Sequence, residues 1–228
     1  MKKMKLSMMN LFEMFDPSYN MYISLNWLYM FFPIILLPSN FWLIQSRILF
    51  TFKMLLNYMY NEFKVISKSK FQSNIIIFIS LMVYIMIVNL FSLIPYIFTL
   101  TSHLLLNMIL SLTLWFSFLI YLIYKNTMQF LSHLVPLNSP VFLMNFMVII
   151  ELISLVIRPW TLSIRLSANL ISGHLILTLL GIFISNFISL LPINILIQNM
   201  LLTLEIFMSI IQSYVFSILL ILYFSESN

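Results

Sequence analysis

The longest feature of this sequence is an almost continuously apolar stretch from Val141 to Phe224, interrupted around residues 186–194, where Pro192 lies. A helix needs about 20 apolar residues to cross a hydrocarbon core of about 30 Å, so the stretch predicts two membrane helices joined by a turn. Each would have about 30 residues or more. Helices of that length cannot cross a bilayer upright, which indicates a long, strongly tilted hairpin over residues 141–224.

The rest of the 228-residue chain has the same character, since 62% of all residues are hydrophobic and 7% are charged. Soluble domains carry about 25% charged residues. The absence of cysteine excludes disulfides, thiolate metal sites and a cysteine nucleophile. The single aspartate, Asp16, lies outside the apolar segments, which excludes a Ser/His/Asp triad in the core. We therefore expect no soluble enzyme chemistry, no cofactor and no metal site.

The N-terminal part predicts a tail over residues 1–21 and an upright first span over residues 22–45, kinked or interrupted at Pro33 and Pro38. A helix on the membrane surface is predicted over residues 46–67, because polar residues recur there on one face at helical spacing. These residues are Ser46, Lys53, Asn57, Tyr60 and Lys64.

A helical hairpin is predicted over residues 74–124, with spans at 74–93 and 104–124 and a polar connection over residues 126–140. The predicted fold class is thus an all-α polytopic membrane protein forming one membrane domain over residues 1–228. No two segments resemble each other, so the inverted repeats of many secondary transporters are not visible.

Lysine and arginine concentrate between the first span and the helical hairpin, where Glu62 is the only acidic residue. The basic residues there are Arg47, Lys53, Lys64, Lys68 and Lys70. The positive-inside rule assigns this loop, and the Lys125 loop, to the matrix or cytoplasmic side. The N-terminus and the turn near Pro192 are then outside, and the C-terminus is inside.

Ionisable groups at membrane depth are costly and mark candidate functional sites. In the apolar stretch they are Glu151, Arg158, Arg165, His174 and Glu205. Several polar residues share one helix face with Arg165 at 100° per residue. They are Glu151, Ser154, Arg158, Thr161, Asn169 and Ser172, whereas Ser163, Ser167 and His174 lie on the opposite face.

The last helix has a matching stripe formed by Gln198, Glu205, Ser209 and Gln212. An antiparallel hairpin about a turn near residue 189 would pair Arg165 with Gln212, and His174 with Glu205, in two layers. Glu151 would lie nearer the inside. For Arg158 we favour a structural role in an ion pair with Glu151, and His103 and His133 need no role.

One motif in the first long helix reads RLSANLISGH over residues 165–174 and follows IRP at residues 157–159. It resembles the signature of subunit a of the F-type ATP synthase in its mitochondrial form, and looks most like arthropod versions. Other matching stretches are PYIF at 95–98, TSHL at 101–104, HLVP at 133–136 and IQSYVF at 211–216. The resemblance covers essentially the whole chain.

The resemblance implies a proton-channel subunit with two offset half-channels, whose long helices lie against a rotating ring of c subunits and drive its rotation. Arg165 would face the ring carboxylate as a permanent positive charge, with protons entering past His174 and Glu205 and leaving past Glu151. The implied proton-translocation residues are Arg165, Glu205, His174, Glu151, Gln212 and Asn169. Nucleotide chemistry would occur on other subunits, since the sequence has no Gly-rich phosphate-binding loop.

The expected location is the mitochondrial inner membrane. The 17 Met and 22 Phe beside two Gly are typical of an AT-rich organelle genome, and Glu13 and Asp16 argue against a transit peptide. The expected partners are the c-ring, other F0 and peripheral-stalk subunits and lipid, with H⁺ transported and no nucleic acid bound.

Two other classes remain open at this point. A secondary ion transporter would also bury Arg, His and Glu, although it should show repeats and broken half-helices. A structural membrane subunit of a respiratory complex would tolerate a neutral residue in place of Arg165.

Overall fold

The computed structural model describes residues 11–18, 24–38, 44–67, 74–95, 97–125, 127–135, 141–186 and 191–226. All regular structure within these ranges is helical. The α-helices are α1 (Phe32–Leu36), α2 (Arg47–Ile66), α3 (Ile75–Ser92), α4 (Leu104–Lys125), α5 (Thr127–Leu134), α6 (Val141–Asn186) and α7 (Leu191–Glu226). Short 3-10 helices cover Leu11–Phe15, Leu25–Phe31 and Leu100–Ser102.

Four of these helices, α3, α4, α6 and α7, are long and apolar enough to cross a membrane. This confirms the predicted class, an all-α polytopic membrane protein. The bounds of α3 and α4 differ by one residue or less from the predicted spans at 74–93 and 104–124.

The first predicted span is helical over a shorter stretch than residues 22–45. Helical structure covers Leu25–Leu36, and Pro33 lies in the first turn of α1, where a missing N–H costs nothing. Leu37 is extended, with ψ of 124°, because the ring of the following Pro38 disfavours helical backbone. Residues 19–23 and 39–43 lie outside the described residues.

The helix predicted over residues 46–67 is α2, with Ser46 and Ser67 as its caps. The Ser46 side chain accepts a hydrogen bond from the Leu49 N–H at 3.4 Å. Phe63 is fully buried, and its ring stacks at 6.3 Å from Tyr214 of α7. One face of α2 therefore packs on the protein, and its position on the membrane surface stays a prediction.

The connection over residues 126–140 contains a helix that we did not predict. Residues Thr127–Leu134 form α5, in which Met128, Leu131 and Leu134 recur at three-residue spacing. Leu134 is buried, whereas Met128 and Leu131 are 81% and 56% exposed, so the packing of Leu134 stabilises this helix among the polar residues and prolines around it. Residues 136–140 lie outside the described part of the chain.

The core lies where α3 packs along α7 and α4 packs along α6, with α6 and α7 in mutual contact. Phe78, near the start of α3, contacts Phe224, near the end of α7, with ring centroids 5.8 Å apart. Phe118 of α4 joins this cluster, 5.8 Å from Phe78 and 5.3 Å from Phe224. The rings tie three spanning helices together at one end of the bundle.

The two long helices agree with the hairpin predicted over residues 141–224. Helix α6 has 46 residues and α7 has 36, so at 1.5 Å per residue both exceed the thickness of a hydrocarbon core. Helix α6 continues through Pro159, and Pro192 lies in the first turn of α7. Residues 187–190, where we predicted the turn, lie outside the described residues.

Candidate functional site

The polar stripe of α6 faces outward around Arg165. Thr161, Arg165 and Ser172 are exposed, whereas Asn169 is half-buried. The hydroxyls of Thr161 and Ser172 donate to carbonyls of their own helix, at 2.9 and 3.1 Å. These hydroxyls need no external partner. The charged and amide groups are therefore the ones left to interact with other molecules or helices.

Arg165 has no hydrogen bond or ion pair with any described residue. It lies 24 residues after the start of α6 and 21 before its end, which is about 30 Å or more from either end. Leu162 and Leu166, on the buried side of the helix, anchor this segment to the core. The guanidinium is thus exposed near the middle of an apolar helix.

One turn along α6 from Arg165, helices α3, α6 and α7 border a cavity of about 150 Å³. This volume can hold several water molecules. Its polar lining consists of Asn89, Asn169, Ser172, Glu205, Ser209 and Gln212. Three of the four residues predicted as the polar stripe of α7 therefore share one space, while Gln198 lies outside it.

Asn169 and Gln212 bridge the two long helices. The Asn169 side-chain N–H donates to the Gln212 Oε1 at 3.2 Å. We predicted Gln212 at the level of Arg165, and the structure has it one helical turn further along α6. Neither Asn169 nor Gln212 forms a hydrogen bond with the Arg165 side chain.

The Glu205 carboxylate packs against Gly173. A Cβ atom at position 173 would lie 2.8 Å from Glu205 Oε1, which is closer than real Cβ contacts. Only glycine therefore leaves room for the carboxylate in this position. Glu205 Oε2 is buried and has no hydrogen-bond partner among the described residues. Gly173 directly precedes His174 in the sequence, so the contact agrees with the prediction that Glu205 and His174 lie at the same level.

His174 lies on the other side of α6 from Arg165 and does not line the cavity. Its side chain is 7% exposed, and its Nε2 is buried without a described hydrogen-bond partner. His174 and Glu205 thus share a level but not a common space.

Sequence reasoning missed Asn89. This residue of α3 is 1% exposed, lines the cavity, and has neither amide atom hydrogen-bonded within the described part of the chain. A buried amide usually has partners, so an unpaired one beside a cavity indicates a site for water or a passing group. The available signal was a lone asparagine in the last turn of an apolar helix.

The inner half of α6 carries a second charged group. Arg158 Nη2 lies 3.8 Å from Glu151 Oε1, and its Cζ lies 5.3 Å from the ring centre of Tyr223 on α7. The ion pair agrees with the structural pairing that we favoured for Arg158. No group of three or more His, Cys, Asp or Glu among the described residues is arranged to hold a metal ion.

These helices define a multi-pass α-helical membrane protein with ionisable and amide groups at membrane depth on its two longest helices. A family model described as ATP synthase A chain matches residues 19–225, and the chain belongs to this family.

Three similar proteins support this family assignment. ATP synthase subunit a of Apis mellifera ligustica is 85% identical over 221 residues, which are 97% of this chain and 98% of the relative. The subunit a of Locusta migratoria is 47% identical over 223 residues, which are 96% and 99% of the two chains. That of Drosophila melanogaster is 45% identical over 97% of this chain and the whole relative. The chain therefore has the subunit a role in an F-type ATP synthase, in ATP synthesis and proton transport.

Proposed function

We propose that the chain is the stator subunit that passes protons to and from the carboxylates of a c-ring through two offset half-channels, and thereby drives rotation for ATP synthesis. The supporting observation is Arg165, an exposed cation near the middle of an apolar helix with no partner among the described residues. A cation at membrane depth is costly in lipid, so it needs an anion on another molecule.

A carboxylate on a rotating ring is such an anion. Arginine stays protonated in a protein, so Arg165 would be a permanent charge that favours the ionised form of each passing carboxylate. A lysine at this position could lose its proton and its charge. Arg165 would thus make each ring carboxylate release its proton on one side and keep the two half-channels apart.

The entry half-channel is assigned to the cavity beside Arg165. Glu205 has a buried, unpaired carboxylate oxygen there, and His174 lies at the same level on the other face of α6. Both are groups that can exchange protons. The Asn169–Gln212 pair lies between this level and Arg165, where it can order water near the gate.

The exit half-channel is assigned to the inner half of α6, where the half-buried Glu151 lies. Each proton that crosses 100 mV releases about 2.3 kcal/mol, and offset half-channels convert this energy into rotation. The subunit itself is not catalytic in this proposal, and nucleotide chemistry occurs on other subunits.

The proposed location is the mitochondrial inner membrane, with the c-ring, other F0 and peripheral-stalk subunits and lipid as neighbours. Ala168 supports the ring position, because it is exposed beside Arg165 while α4 packs on the opposite face, where Ser163 contacts Met108. A small exposed residue allows close approach of another helix.

A cross-linking experiment tests this position. Because the chain has no cysteine, an Ala168→Cys variant has one thiol to label with a photoactivatable maleimide. We expect an adduct with a c subunit in the assembled complex. Phe116→Cys, at a 50% exposed residue of α4, is the matched control and should give none. No adduct from position 168 in assembled complexes would contradict the proposed interface.

A further inference from the structure

Arg158, on the inner half of α6, contacts groups on both long helices. Its guanidinium lies 3.8 Å from the Glu151 carboxylate on α6 and 5.3 Å from the centre of the Tyr223 ring on α7. An arginine over an aromatic ring is attracted to the ring face. The side chain is therefore held between an anion on its own helix and a ring on the neighbouring one.

Three charged residues of α6 lie at regular intervals along the helix. Glu151, Arg158 and Arg165 follow at seven-residue intervals, which places them along one line, about 10 Å apart. A proton that moves from the level of Arg165 to Glu151 must pass the level of Arg158. An uncompensated cation on that line would repel it.

Stability alone does not account for the cluster. The side chains of Arg158 and Glu151 are 30% and 42% exposed, so both charges remain accessible to groups outside this chain. The two helices are already bridged eleven residues further along by Asn169 and Gln212, and by the apolar core. The Arg158–Glu151 ion pair instead determines where the Glu151 carboxylate lies.

We propose that Arg158 is a positioning residue for proton exit, acting through Glu151, and that Tyr223 sets the position of Arg158. The ion pair holds the Glu151 carboxylate at the inner end of the exit route. The Tyr223 ring draws the guanidinium towards α7 and away from the line between Arg165 and Glu151. This inference rests on the proposed function and adds two residues to its exit half-channel.

The test measures ATP synthesis at a fixed proton-motive force, in membrane vesicles whose ATP synthase carries each variant chain. Arg158→Gln and Tyr223→Leu should each lower the rate about three- to tenfold per assembled complex. Tyr223→Phe, which keeps the ring, should restore most of the rate lost in Tyr223→Leu, and Arg158→Lys should restore part of the rate lost in Arg158→Gln.

A double-mutant cycle separates positioning from a general structural role. If Arg158 acts through Glu151, Arg158→Gln should have no further effect in a Glu151→Gln chain. Additive losses in the double variant, or equal losses in Tyr223→Phe and Tyr223→Leu, would overturn the inference. Normal synthesis with Glu151→Gln would overturn it together with the exit assignment, whereas the role of Arg165 is tested independently by its own substitution.

Discussion

Gly173 decides where the Glu205 carboxylate lies. The side chain of Glu205 occupies the space that any other residue at position 173 would fill, and one of its oxygens is buried without a described partner. Burying a polar group without hydrogen bonds is costly, so such an arrangement persists where function requires it. In the proposed mechanism this carboxylate accepts entering protons.

Gly173→Ala should therefore displace the carboxylate and slow proton-driven ATP synthesis up to about tenfold, since small displacements of reacting groups cost rate steeply. The complex should still assemble, because the group that must move is the end of a flexible side chain. Gly181→Ala is the matched control, as nothing lies within 4 Å of a Cβ there. Equal rates for the two alanine variants would show that the space at Gly173 is unimportant.

The ionisable residues of the proposed site can be selected from the sequence alone. Arg165, Glu205 and Glu151 stand out because charges are rare in apolar helices. The same reasoning missed Asn89, since a neutral amide on another helix becomes conspicuous only when its burial and its unpaired atoms are visible. It also missed that His174 does not share the cavity with Glu205. Two residues at equal depth in the membrane can lie on helix faces that do not point towards each other.

The register of the long hairpin is the main feature at the scale of the elements. Asn169 contacts Gln212 and Gly173 contacts Glu205, so partner numbers fall along α7 as they rise along α6. The helices are therefore antiparallel. Their side-by-side contact forms one wall of the cavity and holds the candidate entry residues near Arg165.

This register predicts which cysteine pairs can form disulfides. A Cβ at position 173 would lie 3.1 Å from Glu205 Cγ, the atom whose place a cysteine sulfur would take, so cysteines at 173 and 205 are close enough to bond. Cysteines at 151 and 205 should not, since the level of Glu151 is more than 30 Å along α6 from that of Gly173. Oxidation followed by mass spectrometry checks both pairs. A 151–205 bond in the folded complex would mean that the register is wrong.

Long apolar runs and their breaks were enough to predict α3, α4, α6 and α7. The two elements that differed were short. Helix α5 is stabilised by tertiary contacts such as the burial of Leu134, which a sequence pattern with flanking prolines does not reveal. The helix of the first span ends at Leu36 because Pro38 restricts the backbone of Leu37. The sequence predicts a kink or an interruption at Pro33 and Pro38, but it does not tell which of the two prolines ends the helix.

The charges of the chain predict the orientation of the whole molecule in the membrane. The basic residues around α2, and Lys125 at the end of α4, predict that these ends face the matrix or cytoplasmic side. The level of Glu205 is then nearer the outside and that of Glu151 nearer the inside, as proton entry and exit require. The orientation thus fixes which half-channel serves which compartment.

Labelling in sealed mitoplasts checks this orientation. An impermeant amine reagent added from the intermembrane side should leave the lysines at 64–70 unmodified, and opening the membrane should expose them. Lys2, Lys3 and Lys5 at the N-terminus, expected outside, are the positive control. Labelling of residues 64–70 in sealed mitoplasts would reverse the orientation and exchange the entry and exit assignments.

The central claim is that the exposed charge of Arg165 couples proton flow to rotation. The most direct measurement is proton-driven ATP synthesis, with proton flux, in membranes whose ATP synthase carries Arg165→Ala. We expect assembled complexes with no coupled synthesis, because the change removes one exposed charge and no core packing. Thr161→Ala, exposed on the same stripe, should be close to the parent, and Arg158→Gln far milder than Arg165→Ala. Near-normal coupled synthesis with Arg165→Ala would contradict the account.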